Sequence, residues 1–264
     1  MIKSAAICPH PPIIIPDIGG AQLSLVKKTV AGMEACAQEI HHSQPDTIVI
    51  ISPHGPMRYD KFTINLEDRF RGDFLNFGGS SMQYVFQNNI PLAKTMLQKM
   101  KARHFPVEVI REAGLDHGTL VPLHFLTKPY DKKPSIIPLT FTALDWNMHF
   151  EYGKEIGKIL QDTEESISII ASGDLSHRLT EDAPAGFSPY GIKFDHAIAE
   201  LLAKNDISKI LNLNPDFCDE AGECGLRSII ITLGVISELK YSFKQLSYEG
   251  PFGVGYLVGQ WRIN

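Results

Sequence analysis

The sequence lacks the marks of a nucleic-acid binder, a membrane protein or a disulfide scaffold. Its 264 residues contain no Lys/Arg-rich run, and the formal net charge is −5. Such a chain offers no footprint to a polyanion or an anionic lipid surface, so nucleic acid and membrane are not expected partners. No apolar stretch approaches the length of a membrane span. Met1-Ile-Lys-Ser runs into an apolar segment without a signal-peptide pattern. Cys8, Cys36, Cys218 and Cys224 show neither zinc-finger spacing nor a Cys-x-x-Cys pair. A cytoplasmic protein with reduced thiols is therefore expected. Gly173-Asp-Leu-Ser is not the Gly-x-Ser-x-Gly elbow of a hydrolase, and Gly19-Gly20 lacks the spacing of a dinucleotide or phosphate loop. Repeats, low-complexity segments and long linkers are also missing, which predicts one domain over residues 1–264.

What remains is an ordinary globular composition with ten histidines, several of them in turns bounded by Pro or Gly. Thr47-Ile-Val-Ile-Ile-Ser52 is a β-branched apolar run that suits a buried central strand. Pro53 stops it, because proline cannot donate to a ladder, and His54 follows at the carboxyl edge. Ser4-Ala-Ala-Ile-Cys8 repeats the design, with Pro9 and then His10. If the two strands are neighbours, two imidazoles lie side by side where open α/β sheets bind ligands. Between them, apolar residues from Leu23 to Ile40 recur at helical spacing, so the chain opens strand-helix-strand.

Further strands are expected at Lys61–Leu66, Val107–Ile110, Ser135–Phe141, Ser166–Ala171, Phe243–Tyr248 and Gly255–Trp261. Pro138 marks its strand as an edge or a bulge. Helices are expected over 83–101, 120–126, 149–162, 194–203 and 225–239, with Thr119 as the N-cap of the second. Residues 67–80 read as a loop that covers the site or meets another subunit, and 212–223 as an acidic irregular segment. The third buried strand ends in Ser172-Gly-Asp-Leu-Ser-His177, which delivers another histidine to the same edge.

The polar residues at these strand ends and helix starts are His10, His54, His117, His177, Asp174, Glu220 and Glu223. Two neutral imidazoles and a carboxylate on one face form the ligand set of non-haem Fe(II), with positions left open for substrate and dioxygen. His10 and His54 supply the imidazoles. Glu223, at the start of the last long helix, is the preferred third ligand, because a helix N-terminus favours an anion. Glu220 and Cys224 compete for that place, and a thiolate at Cys224 would favour copper(I) or zinc. His117 and His177 are then left for proton transfer, which suits an imidazole near neutral pH. A zinc site of His10, His54 and His177 is a further, hydrolytic alternative.

Cys8-Pro-His10-Pro-Pro, Ser52-Pro-His54-Gly, Asp116-His117-Gly-Thr, Ser172-Gly-Asp-Leu-Ser-His177 and Ala221-Gly-Glu223-Cys-Gly-Leu-Arg-Ser resemble, in this order, the motifs of the LigB superfamily. That superfamily contains the class III extradiol ring-cleaving dioxygenases and the Memo-like proteins. The resemblance implies an α/β domain with a central mixed sheet flanked by helices on both faces. It implies Fe(II) held by His10, His54 and Glu223, with His117 and His177 as acid/base groups. It also implies a catechol-like or aminophenol-like substrate opened by O2 beside a hydroxyl. The partners it implies are copies of the chain in a homo-oligomer or a small accessory subunit. Cys224, beside Glu223, resembles the Memo-like branch, whose members are metal-binding or redox proteins without assigned ring cleavage.

Overall fold

The structure, a computed structural model, describes residues 1–79 and 82–264. Its strands are β1 (Ile2–Cys8), β2 (Thr47–Ile51), β3 (Phe62–Asn65), β4 (Arg69–Gly72), β5 (Tyr84–Gln87), β6 (Val107–Ile110), β7 (Ser135–Leu139), β8 (Ile167–Ser172), β9 (Tyr241–Glu249) and β10 (Tyr256–Ile263). Six of them form the main sheet in the order β7-β2-β8-β1-β10-β9. β7, β2, β8 and β1 run parallel, and β10 and β9 add an antiparallel edge. Two small pairs, β3 with β6 and β4 with β5, lie outside it.

The parallel strands read as unbroken apolar runs because both of their faces are covered. Ala5, Ile7, Val49, Ile51, Ile169 and Ala171 point into one cluster, against the helices Ile90–Ala102, Trp146–Gln161, Gly191–Ala203 and Leu226–Ile236. Ala6, Cys8, Ile48, Ile50 and Ile170 point into the other, against the helices Lys27–His42 and His117–Thr127. A fully buried isoleucine contributes roughly 1.5–3 kcal/mol, so both faces are committed to packing. Polar chemistry is left to the strand ends. Pro138 sits on β7, the edge of the sheet, as its missing donor requires.

Three expectations are corrected. Residues 67–80 are not all loop: Arg69–Gly72 pairs with Tyr84–Gln87 in a hairpin, so the helix expected from Gln83 begins only at Ile90, capped by the Asn89 side chain. The last residue of the expected loop, Ser80, lies outside the described residues. Residues 212–223 are not irregular: Asn214 caps a short helix, Pro215–Ala221, with proline at its first position. The helix expected over 120–126 starts earlier, at His117. Its cap is not Thr119 but Asp116, which accepts from the Thr119 N–H, and Pro122 lies inside the helix.

Candidate metal centre

β1 and β2 are not neighbours, because β8 lies between them. The two Pro-His ends nevertheless meet, arching toward each other over the end of β8. The Nε2 atoms of His10 and His54 stand 3.1 Å apart. β8 supplies the anchors: the His10 backbone N–H donates to Asp174 Oδ1 (2.9 Å), and His10 Nδ1 lies 2.9 Å from Ser172 Oγ. The His54 backbone N–H donates to Ser52 Oγ (3.2 Å), and the Ser52 hydroxyl donates to the capping carboxylate of Asp116.

Cys224 completes the group. Its Sγ lies 3.7 Å from His10 Nε2, and the donor atoms of His10, His54 and Cys224 all lie within 4.8 Å of one another. Two glycines allow this approach. A Cβ on Gly173 would stand 2.2 Å from the Gly225 Cα, so only glycine lets the end of β8 touch the turn that holds Cys224. Across this contact the Cys224 N–H donates to Asp174 O (3.3 Å), and the Asp174 N–H points at Sγ from 3.3 Å.

Glu223, the expected third ligand, is not brought to this group. Its carboxylate accepts from the Leu226 N–H (2.6 Å) and caps the first turn of the last long helix. It lines a separate cleft of about 460 Å³ with Asp145, Trp146, Cys218 and Arg227. Glu220 is also elsewhere, paired with Arg178 at 3.3 Å on the surface. One step along the chain decides which donor sees the histidines.

His117 and His177 flank the group from two sides. The His117 ring stacks on His54 with centroids 4.3 Å apart and lies 5.4 Å from His10. Phe77, from the stretch expected to cover the site, lies against it at 5.0 Å. His177 Nδ1–H donates to Gly222 O (2.9 Å), leaving Nε2 toward Asp174 Oδ2 at 3.9 Å. The same Oδ2 is 3.9 Å from His10 Nε2. Asp174 thus stands between the two, a placement that its sequence position at a strand end anticipated only in part.

Burial sets the electrostatics. It holds His10 well below the usual imidazole range, and His54, His117 and His177 push it further down. Burial also lowers His54, against the pull of Asp116, and lowers His117 and His177. All four imidazoles are therefore neutral at neutral pH, the form that binds a metal or takes a proton. Burial pushes the Asp174 carboxyl up to about 7, partly opposed by the His10 N–H, and raises the Cys224 thiol well above its usual range. A bound cation reverses both effects, since it favours the ionised carboxylate and thiolate.

A six-stranded α/β sheet thus gathers two histidines and a cysteine at its carboxyl edge, with donor atoms close enough together to hold one metal ion. Residues 4–259 match the sequence profile of the catalytic LigB subunit of aromatic ring-opening dioxygenase, and the chain belongs to that family. It is 34% identical over 261 residues to a Clostridium acetobutylicum protein that carries only a locus name. That match covers 96% of this chain but 56% of the relative, so the chain spans little more than half of that protein's length. It is 22% identical over 269 residues to 3,4-dihydroxyphenylacetate 2,3-dioxygenase of Escherichia coli, covering 94% of this chain and 95% of the enzyme. The crystal structure of an uncharacterized protein of Escherichia coli K12 shares the fold, with a TM-score of 0.66 at 16% identity over 98% of this chain and 99% of that one. No helix among the described residues is long and apolar enough to cross a membrane.

Proposed function

We propose that the chain is a metal-dependent ring-opening dioxygenase for a catechol-like or aminophenol-like substrate, with His10, His54 and Cys224 as the protein ligands of its metal. The observation that supports this most is the 3.1 Å approach of two imidazole Nε2 atoms with the Cys224 sulfur 3.7 Å from one of them. Donors so spaced suit one ion with bonds of roughly 2.0–2.3 Å. Iron(II), as in the resemblance, supplies the redox chemistry that lets dioxygen react with an aromatic ring; zinc and copper are the alternatives that a thiolate favours.

The remaining residues handle position and protons. His177 has Nδ1–H fixed by a carbonyl, so Nε2 is the basic atom, and it takes the proton of a substrate hydroxyl. His117, stacked on His54, and Phe77, tilted 53° to it, offer ring surfaces for an aromatic substrate to pack against. His117, neutral through burial, accepts or returns a proton on that side. Arg58 and Arg178 pair with Glu108 and Glu220.

A second reading, a Memo-like metal-binding or redox protein without ring cleavage, draws support from Cys224 standing where a carboxylate was expected. Metal analysis of anaerobically purified protein, followed by an aerobic catechol and aminophenol panel, separates the two. Iron together with a yellow ring-opened product supports the dioxygenase. Zinc or copper with no oxygen uptake moves the chain to the second reading.

A further inference from the structure

The helix His117–Thr127 contains a proline, Pro122, in its interior. In a regular helix the carbonyl of Gly118 accepts from the N–H four residues on, and that residue is Pro122, which has none. The freed carbonyl does not go unused. It accepts from the hydroxyl of Ser172, which is wholly buried at the end of β8. A carbonyl only accepts, so the Ser172 proton is spent there. The serine oxygen then meets His10 Nδ1 at 2.9 Å as an acceptor, and Nδ1 must carry the proton. His10 is left with a bare Nε2, the atom 3.1 Å from His54 and 3.7 Å from Cys224. Gly118 is held in register for this role: a Cβ there would stand 2.5 Å from Ser52 Oγ and 3.2 Å from His54 Cδ2.

We propose that Pro122 and Ser172 are positioning residues that set the tautomer of His10: the missing N–H of the proline keeps the Gly118 carbonyl open, the Ser172 hydroxyl turns to it, and His10 presents Nε2 to a metal. The inference rests on the metal-site reading only for its purpose; the relay itself is a property of the metal-free chain. Partners of this kind fix the ring orientation and proton position of a ligating histidine. A proline that disfavours its own helix is thereby tied to the site through one carbonyl and one hydroxyl.

The test reads the tautomer directly. Long-range ¹H–¹⁵N spectra of histidine-labelled, metal-free protein at pH 8 report which nitrogen of His10 is protonated, and Co(II) titration of the same samples reports affinity. The wild type is expected to show Nδ1–H at His10. Pro122→Ala restores an N–H that competes for the Gly118 carbonyl, and Ser172→Ala removes the relay. Both are expected to shift His10 toward Nε2–H and to weaken Co(II) binding about 10–100-fold, while Pro122→Ala melts no lower than wild type, because alanine is the better helix residue. An unchanged tautomer in both variants overturns the inference, and so does a Pro122→Ala protein that loses Co(II) only because it melts lower. Wild-type protein that shows the Nδ1–H tautomer but binds no Co(II) counts against the metal-site reading and leaves the relay standing.

Discussion

Two groups of buried histidine chemistry lie on either side of the Glu223–Cys224 peptide, and they differ in how the ring nitrogens are used. On the cleft side, His149 is wholly buried, and the backbone takes both of its nitrogens: Nδ1–H donates to Asp145 O (2.7 Å), and Nε2 accepts from the Thr142 N–H (3.2 Å). On the sheet-edge side, His10 and His177 are each anchored through Nδ1 alone, and each turns Nε2 toward the centre. Burial lowers the proton affinity of all three, so a depressed pKa does not tell a structural imidazole from a functional one. The second nitrogen does. Where the backbone uses it, the ring is a brace; where it faces other donors, the ring belongs to a site.

The sharpest way to break this comparison is Cys224→Ala. Metal content after anaerobic purification is expected to fall by more than about 100-fold in affinity terms, beyond the effect of losing an outer partner. Retained metal would return the third position to a carboxylate. His177→Ala is expected to keep the metal and lose roughly 10²–10⁴-fold in turnover, as for a displaced acid/base group; metal lost in that variant would make His177 a ligand.

The cleft side predicts acid sensitivity instead. Burial holds His149 down at about 4, against 6.5 for a free imidazole. Below 6.5 the unfolded chain takes up a proton that the folded chain refuses, so stability falls as pH drops from about 6.5 to about 4, by up to roughly 3 kcal/mol. Denaturant midpoints across that window should fall less steeply in His149→Gln. The smallest effect is expected for Glu223→Ala: loss of the helix cap, roughly 1 kcal/mol, seen as a lower melting temperature with metal content unchanged. Loss of metal there would erase the distinction between the two sides.

The strand ends were legible because proline stops a strand at a fixed place and the next residue inherits the edge. His10 and His54 were found that way, although the sequence did not say that β8 runs between them. The donor at the far end of the chain was not legible to the same precision. Glu223 and Cys224 are adjacent, and which one faces the histidines depends on the Gly173–Gly225 contact, a long-range approach that no local pattern encodes. The hairpin β4–β5 was missed because its strands are four residues each and Arg69-Phe-Arg-Gly carries little apolar signal. The short helix after Asn214 did carry a local signal, an Asn-Pro start, which the acidic composition outweighed.

The position of β8 has a consequence for how the protein comes into being. β1 and β2 are made early, yet the strand that joins them is contributed by residues 167–172, and Cys224 follows still later. The amino-terminal half cannot close its own sheet, and its two Pro-His ends have no frame until the middle strand is inserted. Pairings of such sequence separation form late and slowly. A growing chain therefore brings His10, His54 and Cys224 together only at the end, and on the function proposed above, uptake of an ion would mark completed folding.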